Sequence, residues 1–149
     1  MPTMLILRGI AGTFGGKRYP RGALDEKSAT AYAELRGYSA KVLDVSGQTG
    51  VKSKQTNLAL STFRVDGTID ALYGFSGGGY NIYWMLTQMT AAEKKRLKLL
   101  IVIGAPKRPA SSYRASAFHG HWELVYRTDP KTGHMDGPRA LLEEATTTA

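Results

Sequence analysis

Short apolar runs alternate with longer amphipathic stretches along this chain. Residues 5–10 form a short apolar run ending at Gly9 and Gly12, and read as a first buried strand. Residues 41–45 read as a second strand, ended by Ser46-Gly47, and residues 69–75 as a third. Leu99-Leu100-Ile101-Val102-Ile103 is a fourth, ended by Gly104-Ala105-Pro106, and residues 122–126 are a fifth. Between them, residues 23–36 show helical spacing, with Leu24, Ala31 and Leu35 apolar and Gly37 as the stop. Residues 55–63 and 80–89 read as helices, 91–96 as a charged helical turn capped by Thr90, and 138–145 as a closing helix. Residues 12–16 read as a glycine-rich loop.

Strands that alternate with helices, each strand a near-continuous apolar run, predict a parallel sheet covered on both faces. The expected fold is α/β: a three-layer sandwich with a mostly parallel five-stranded sheet, order 2-1-3-4-5, and helices on both faces. In that order the winding reverses between the first and third strands. Ligands bind at such a switch point, beyond the carboxyl ends of the strands. Residues 1–145 are expected to form one domain, and residues 146–149 a frayed tail.

Composition narrows the function classes. The chain has no cysteine, which removes disulfides, thiolate catalysis and cysteine-held metals. No run approaches the roughly 18 apolar residues of a membrane helix. The first residues lack a basic segment followed by a long apolar one, so a cytoplasmic location is the default expectation. The net charge of +8 favours acidic partners: a negatively charged substrate, an anionic surface or nucleic acid. A plain basic surface fits the same number.

Gly74-Phe75-Ser76-Gly77-Gly78 stands between the third strand and the helix after it, and fits the pattern G-x-S-x-G. A serine on a tight strand-to-helix turn is pushed into solvent. The helix N-terminus behind it supplies N–H donors for a developing oxyanion. The plain alternative is an ordinary turn with Ser76 as a helix N-cap. A serine nucleophile needs a base, and the base needs an orienting acid. Of the three histidines, His134 lies between the fifth strand and the closing helix, on the edge that carries Ser76. His119 and His121 precede the fifth strand, near the opposite edge.

In element order the chain resembles a compact member of the α/β-hydrolase superfamily, of the lidless cutinase-like or minimal-lipase kind. The matching motifs are Gly74-Phe75-Ser76-Gly77-Gly78, an acid after the fifth strand, and Gly133-His134 before the closing helix. The resemblance implies hydrolysis of an ester, thioester or amide through an acyl-enzyme. Ser76 would attack, His134 would carry the proton and Asp129 would hold the imidazole. Asp136, Asp44 and Asp66 are alternatives for the acid. The oxyanion donors it implies are the Gly77 N–H and one from Ala11 or Gly12. It calls for no cofactor and no metal.

Basic residues cluster in three loops predicted to rim the same edge: Lys17, Arg18 and Arg21; Lys52 and Lys54; Lys107 and Arg108. They suggest an anionic substrate. Lys94, Lys95, Arg96 and Lys98 fall on the other edge and read as a solvated helix face.

Three rival readings stand beside the hydrolase. Segments 47–53 and 12–18 set glycines beside lysines and could cradle a phosphate, although neither meets the P-loop pattern. That module, or a hydrolase relative without activity, would not need His134. The basic balance and eight tyrosines permit a nucleic-acid-binding domain, without any recognised motif; Tyr80, Tyr83 and Trp84 read as packed on the sheet instead. His119 and His121 form a His-x-His pair, a weak metal signal.

Overall fold

A computed structural model describes residues 1–10, 12–14, 17–19, 24–47, 53–117, 122–128 and 136–148. In chain order the elements are β1 (Thr3–Leu7), β2 (Gly12–Phe14), β3 (Lys17–Tyr19), α1 (Glu26–Leu35), β4 (Ser39–Val42), α2 (Lys54–Val65) and β5 (Ile69–Phe75). Then follow α3 (Gly77–Gln88), α4 (Ala91–Lys95), β6 (Leu99–Ile103), α5 (Ala110–Ala117), β7 (Glu123–Arg127) and α6 (Gly137–Thr148). Five strands form one sheet in the order β4-β1-β5-β6-β7, with every neighbouring pair parallel. Numbered along the chain within the sheet, this is 2-1-3-4-5.

The alternation of side chains along each strand explains the unbroken apolar runs. Met4 and Ile6 of β1 join Tyr73, Ile101 and Ile103 on one face, under α1 and α6. Leu5 and Leu7 join Leu72, Leu100 and Val102 on the other, under α2, α3 and α5. Both faces are covered, so both parities must be apolar. Each fully buried Leu or Ile contributes about 1.5–3 kcal/mol.

Several boundaries differ from the sequence expectation. The glycine-rich stretch after β1 contains an antiparallel pair, β2 with β3, rather than a loop alone. β4 runs in register with β1 from Thr3↔Ser39 to Ile6↔Val42, so it starts and ends earlier than residues 41–45. Its alternating half-exposure marks a sheet edge, where apolar content is a weak guide. α5 went unforeseen because its sequence, ASSYRASA, offers one buried anchor, Tyr113. α6 continues to Thr148, so residues 146–148 of the expected tail are helical. Among the described residues no helix is long and apolar enough to cross a membrane.

Capping follows the sequence. Asp25 accepts from Ser28 N at the start of α1, and Gly37, at φ +86°, stops the chain after it. Thr90 and Glu93 form a reciprocal capping box on α4. Arg64 Nε also donates to Glu93, at 2.8 Å. That bond, with the one from Thr90 N, holds the Glu93 carboxyl down to about 2, against an ordinary 4.5. A carboxyl depressed by folding adds stability above its unfolded pKa and loses it as pH falls through the folded one. The melting temperature should therefore drop between about pH 4.5 and pH 2, and Glu93→Gln should flatten that limb. Parallel acid limbs in a thermal-melt series would refute the assignment.

Candidate active site

The switch point lies between β1 and β5. Leu7 pairs with Gly74 there, and both strands end within two residues. Ser76 follows β5 directly. Its N–H donates to Ile103 O of β6 at 2.8 Å, and its carbonyl accepts from Gly79 N at 2.9 Å. The turn is thus tied to the neighbouring strand on one side and to the first turn of α3 on the other.

Ser76 has φ 54° and ψ −116° and is, among the described residues, the one non-glycine with positive φ. This region suits glycine; an L-residue there is strained by about 1–3 kcal/mol. An ordinary N-cap looks different. Ser53, which caps α2, has φ −65° and ψ 151°, and its Oγ accepts from Thr56 N at 3.1 Å. Ser76 occupies the N-cap position of α3, yet its side chain makes no capping bond. The backbone therefore does not use this hydroxyl as a cap, which is the plain alternative the sequence left open.

Glycines make the turn possible. A Cβ on Gly78 would overlap the Leu7 carbonyl oxygen and lie 2.7 Å from Arg8 O. A Cβ on Gly47 would overlap Arg8 O and lie 2.8 Å from Gly78 N. The end of β1, residue 47 and the first turn of α3 thus meet backbone to backbone. Ile10 forms a parallel bridge with Gly47 and packs on Gly77: its N lies 3.3 Å and its Cγ1 2.7 Å from where a Gly77 Cβ would be.

The expected oxyanion donors divide. Gly77 is buried directly behind Ser76. Gly12 opens β2 and pairs with Tyr19. Ala11 lies outside the described residues. The described backbone nitrogen of this loop that sits beside Gly77 is that of Ile10, which the sequence reading passed over.

His134, Asp129, His119 and His121 also lie outside the described residues, as do Arg21 and Lys52. Their flanks are described. β7 ends at Arg127, opposite Ile103, and Gly104 N donates to Arg127 O at 2.8 Å. α6 begins at Gly137, where a Cβ would come 2.6 Å from Ile103 Cγ2 and 3.7 Å from Phe75 Cε1. Both flanks of residues 129–135 are therefore at the carboxyl edge: the β7 flank beside Ile103, and the α6 flank beside Ile103 and Phe75, the residue that precedes Ser76.

No model of a known protein family matches this chain, and no curated protein matches it.

The alternative acids separate by edge. Asp44 follows β4 at the carboxyl edge, 3.9 Å from Arg8. Asp136 is exposed and faces Arg139 at 3.5 Å. Asp66 caps α2 before β5, at the opposite edge, where it accepts from Thr68 N and Oγ1. The fold places Asp66 at the sheet edge away from Ser76.

The basic rim also divides. Lys54 begins α2 and Lys107 follows β6, both exposed at the carboxyl edge. Lys17 and Arg18 belong to β3. The Arg108 guanidinium lies 3.7 Å from the Tyr83 ring centroid and 4.9 Å from that of Trp84. Those rings belong to residues seven and eight positions past Ser76, about 10 Å along α3. Its charge is committed to a cation–π stack there. On the other edge, Arg96 is more than a solvated charge. It stacks 4.0 Å over Phe63 and donates to Asp66 O and Ile69 O.

Three polar residues near the turn went unnoticed in the sequence: Arg8, Gln55 and Asn81, all buried. Arg8 Nε donates to Leu43 O at 2.7 Å, and its guanidinium pairs with Glu26 at 2.5 Å. Nothing local announces these partners, which lie 18 and 35 positions away in sequence. Among the described residues, no group of three or more His, Cys, Asp or Glu could hold a metal ion.

Proposed function

We propose that this protein is a serine hydrolase, which transfers an acyl group from an ester, thioester or amide to water through an acyl-enzyme on Ser76. The observation that carries the reading is the strained, non-capping conformation of Ser76 at the switch point of the sheet. Strain of this kind persists where the surrounding structure over-determines it, and clusters at reactive groups.

In this reading Ser76 Oγ attacks the substrate carbonyl carbon while His134 takes its proton. The carbonyl oxygen becomes an oxyanion beside the N–H groups of Gly77 and Ile10. Collapse breaks the bond to the leaving group, which receives the proton from His134. Water, deprotonated by the same imidazole, then releases the acid and restores Ser76. Asp129 orients the imidazole. Chain reach supports His134: it stands three residues before Gly137, so their Cα atoms are within about 11 Å. Lys54 and Lys107, exposed on the same edge, favour a substrate with a negative group.

The test is hydrolysis of p-nitrophenyl acetate by the wild type and by His134→Ala. The variant should lose about 10³-fold or more in kcat with its melting temperature kept. A variant as fast as the wild type would remove His134 from the mechanism.

A further inference from the structure

A buried chain of amide hydrogen bonds runs behind the Ser76 turn. Arg8 lies one residue past the end of β1. Its N–H donates to Gln55 Oε1 at 2.9 Å, and its carbonyl accepts from Gln55 Nε2 at 2.7 Å. The Gln55 side chain thus pairs with the Arg8 backbone as a neighbouring strand would. Gln55 Nε2 also donates to Asn81 Oδ1 at 3.0 Å, and Asn81 Nδ2 donates to Ser53 Oγ at 3.0 Å. Ser53 Oγ in turn donates to Thr56 Oγ1 at 2.8 Å. Gln55, Thr56 and Asn81 are fully buried, and Ser53 nearly so.

The network has one consistent orientation. Arg8 N–H can only donate, so Gln55 must present its oxygen there and its NH₂ to Arg8 O. Both Gln55 amide hydrogens are then used, and Asn81 must present its oxygen to Gln55 and its NH₂ to Ser53. Satisfied networks of this kind rigidify what they join. Here they join the segment after β1 to α3, the helix that Ser76 begins. Ile10 lies two residues beyond Arg8, and Asn81 five beyond Ser76. The same Arg8 carbonyl is one that a Gly78 Cβ would crowd, so a shift of Arg8 acts directly on the first turn of α3.

We propose that Gln55 and Asn81 are positioning residues: their buried amides fix the separation between Ile10 and Gly77, the two walls of the oxyanion site, and so set the rate of acyl transfer without touching substrate. The proposal rests on the serine-hydrolase reading. Misplacement of a reacting geometry by about 1 Å costs about 10²-fold, and one oxyanion donor is worth about 10²–10³-fold.

The experiment uses Gln55→Met, which keeps the volume and removes both bonds to Arg8, and the milder Asn81→Ala, which leaves those bonds and removes their anchor. Each is compared with the wild type for p-nitrophenyl acetate hydrolysis, fluorophosphonate labelling rate and urea unfolding. For Gln55→Met, kcat should fall about 10–100-fold with KM within about twofold. For Asn81→Ala, kcat should fall about 3–10-fold, and the labelling rate should fall with kcat in both. Asn81→Ala carries the test if Gln55→Met does not fold. A lower unfolding free energy with unchanged kcat and labelling would overturn the positioning role and leave the hydrolase reading standing. A wild type that neither hydrolyses the ester nor labels at Ser76 would overturn both.

Discussion

Gly78→Ala should destabilise the protein by about 3 kcal/mol or more, a large share of the stability of a domain this size. The added Cβ meets the backbone of β1: it overlaps Leu7 O and lies 2.7 Å from both Leu7 C and Arg8 O. No rotamer change relieves a clash with backbone. α3 must move off β1, and Ile82, Met85 and Leu86, all fully buried, move with it. The gain of about 1 kcal/mol in helix propensity on replacing glycine is too small to offset this. Gly79→Ala is the control. Its Cβ comes nearest to side-chain carbons, Ala105 Cβ at 3.0 Å and Val102 Cγ1 at 3.1 Å, with the Gly74 carbonyl oxygen at an ordinary contact distance of 3.6 Å, so a shift of a few tenths of an ångström accommodates it. Urea unfolding of the two variants should separate their midpoints widely. A Gly78→Ala midpoint near that of the wild type would contradict the backbone contact between β1 and α3.

Ser76 should show the opposite relation between stability and activity. On the proposed serine-hydrolase reading, Ser76→Ala should lose about 10³-fold or more in ester hydrolysis, because it removes the proposed nucleophile and leaves only binding and oxyanion stabilisation. Ser76→Gly should be as inactive and yet more stable than Ser76→Ala. Glycine accepts φ 54° and ψ −116° without the strain of about 1–3 kcal/mol that a Cβ brings. The greater freedom of glycine in the unfolded chain takes back about 0.4–1 kcal/mol. The net expectation is that Ser76→Gly exceeds both the wild type and Ser76→Ala by about 1 kcal/mol. Equal stabilities across the three would show that the turn is unstrained, and would remove the main support for a reactive serine.

The central strands were legible because burial on both faces forces a continuous apolar run. β5 and β6 match the expected residues 69–75 and 99–103 end to end. Their order follows from the alternation with helices, and it fixes Ser76 at the switch point. Legibility fell where tertiary contact overrides local preference. α3 was expected from residue 80, but it begins at Gly77, because a run of poor helix formers is what lets the helix touch β1. α5 holds on through Tyr113, whose hydroxyl donates to Gly79 O at 3.0 Å across 34 positions of sequence. The supports of the site were illegible for the same reason. Gln55 and Asn81 read as ordinary polar helix residues until the fold brings them to Arg8. Arg108 read as a rim charge because its stacking partners lie on another element.

The most direct measurement is labelling of the wild type with a fluorophosphonate probe, read by intact mass and mapped by peptide. The account predicts one adduct per chain, on Ser76, absent from Ser76→Ala and strongly slowed in His134→Ala. A folded wild type that stays unlabelled, or an adduct on another residue, would contradict it.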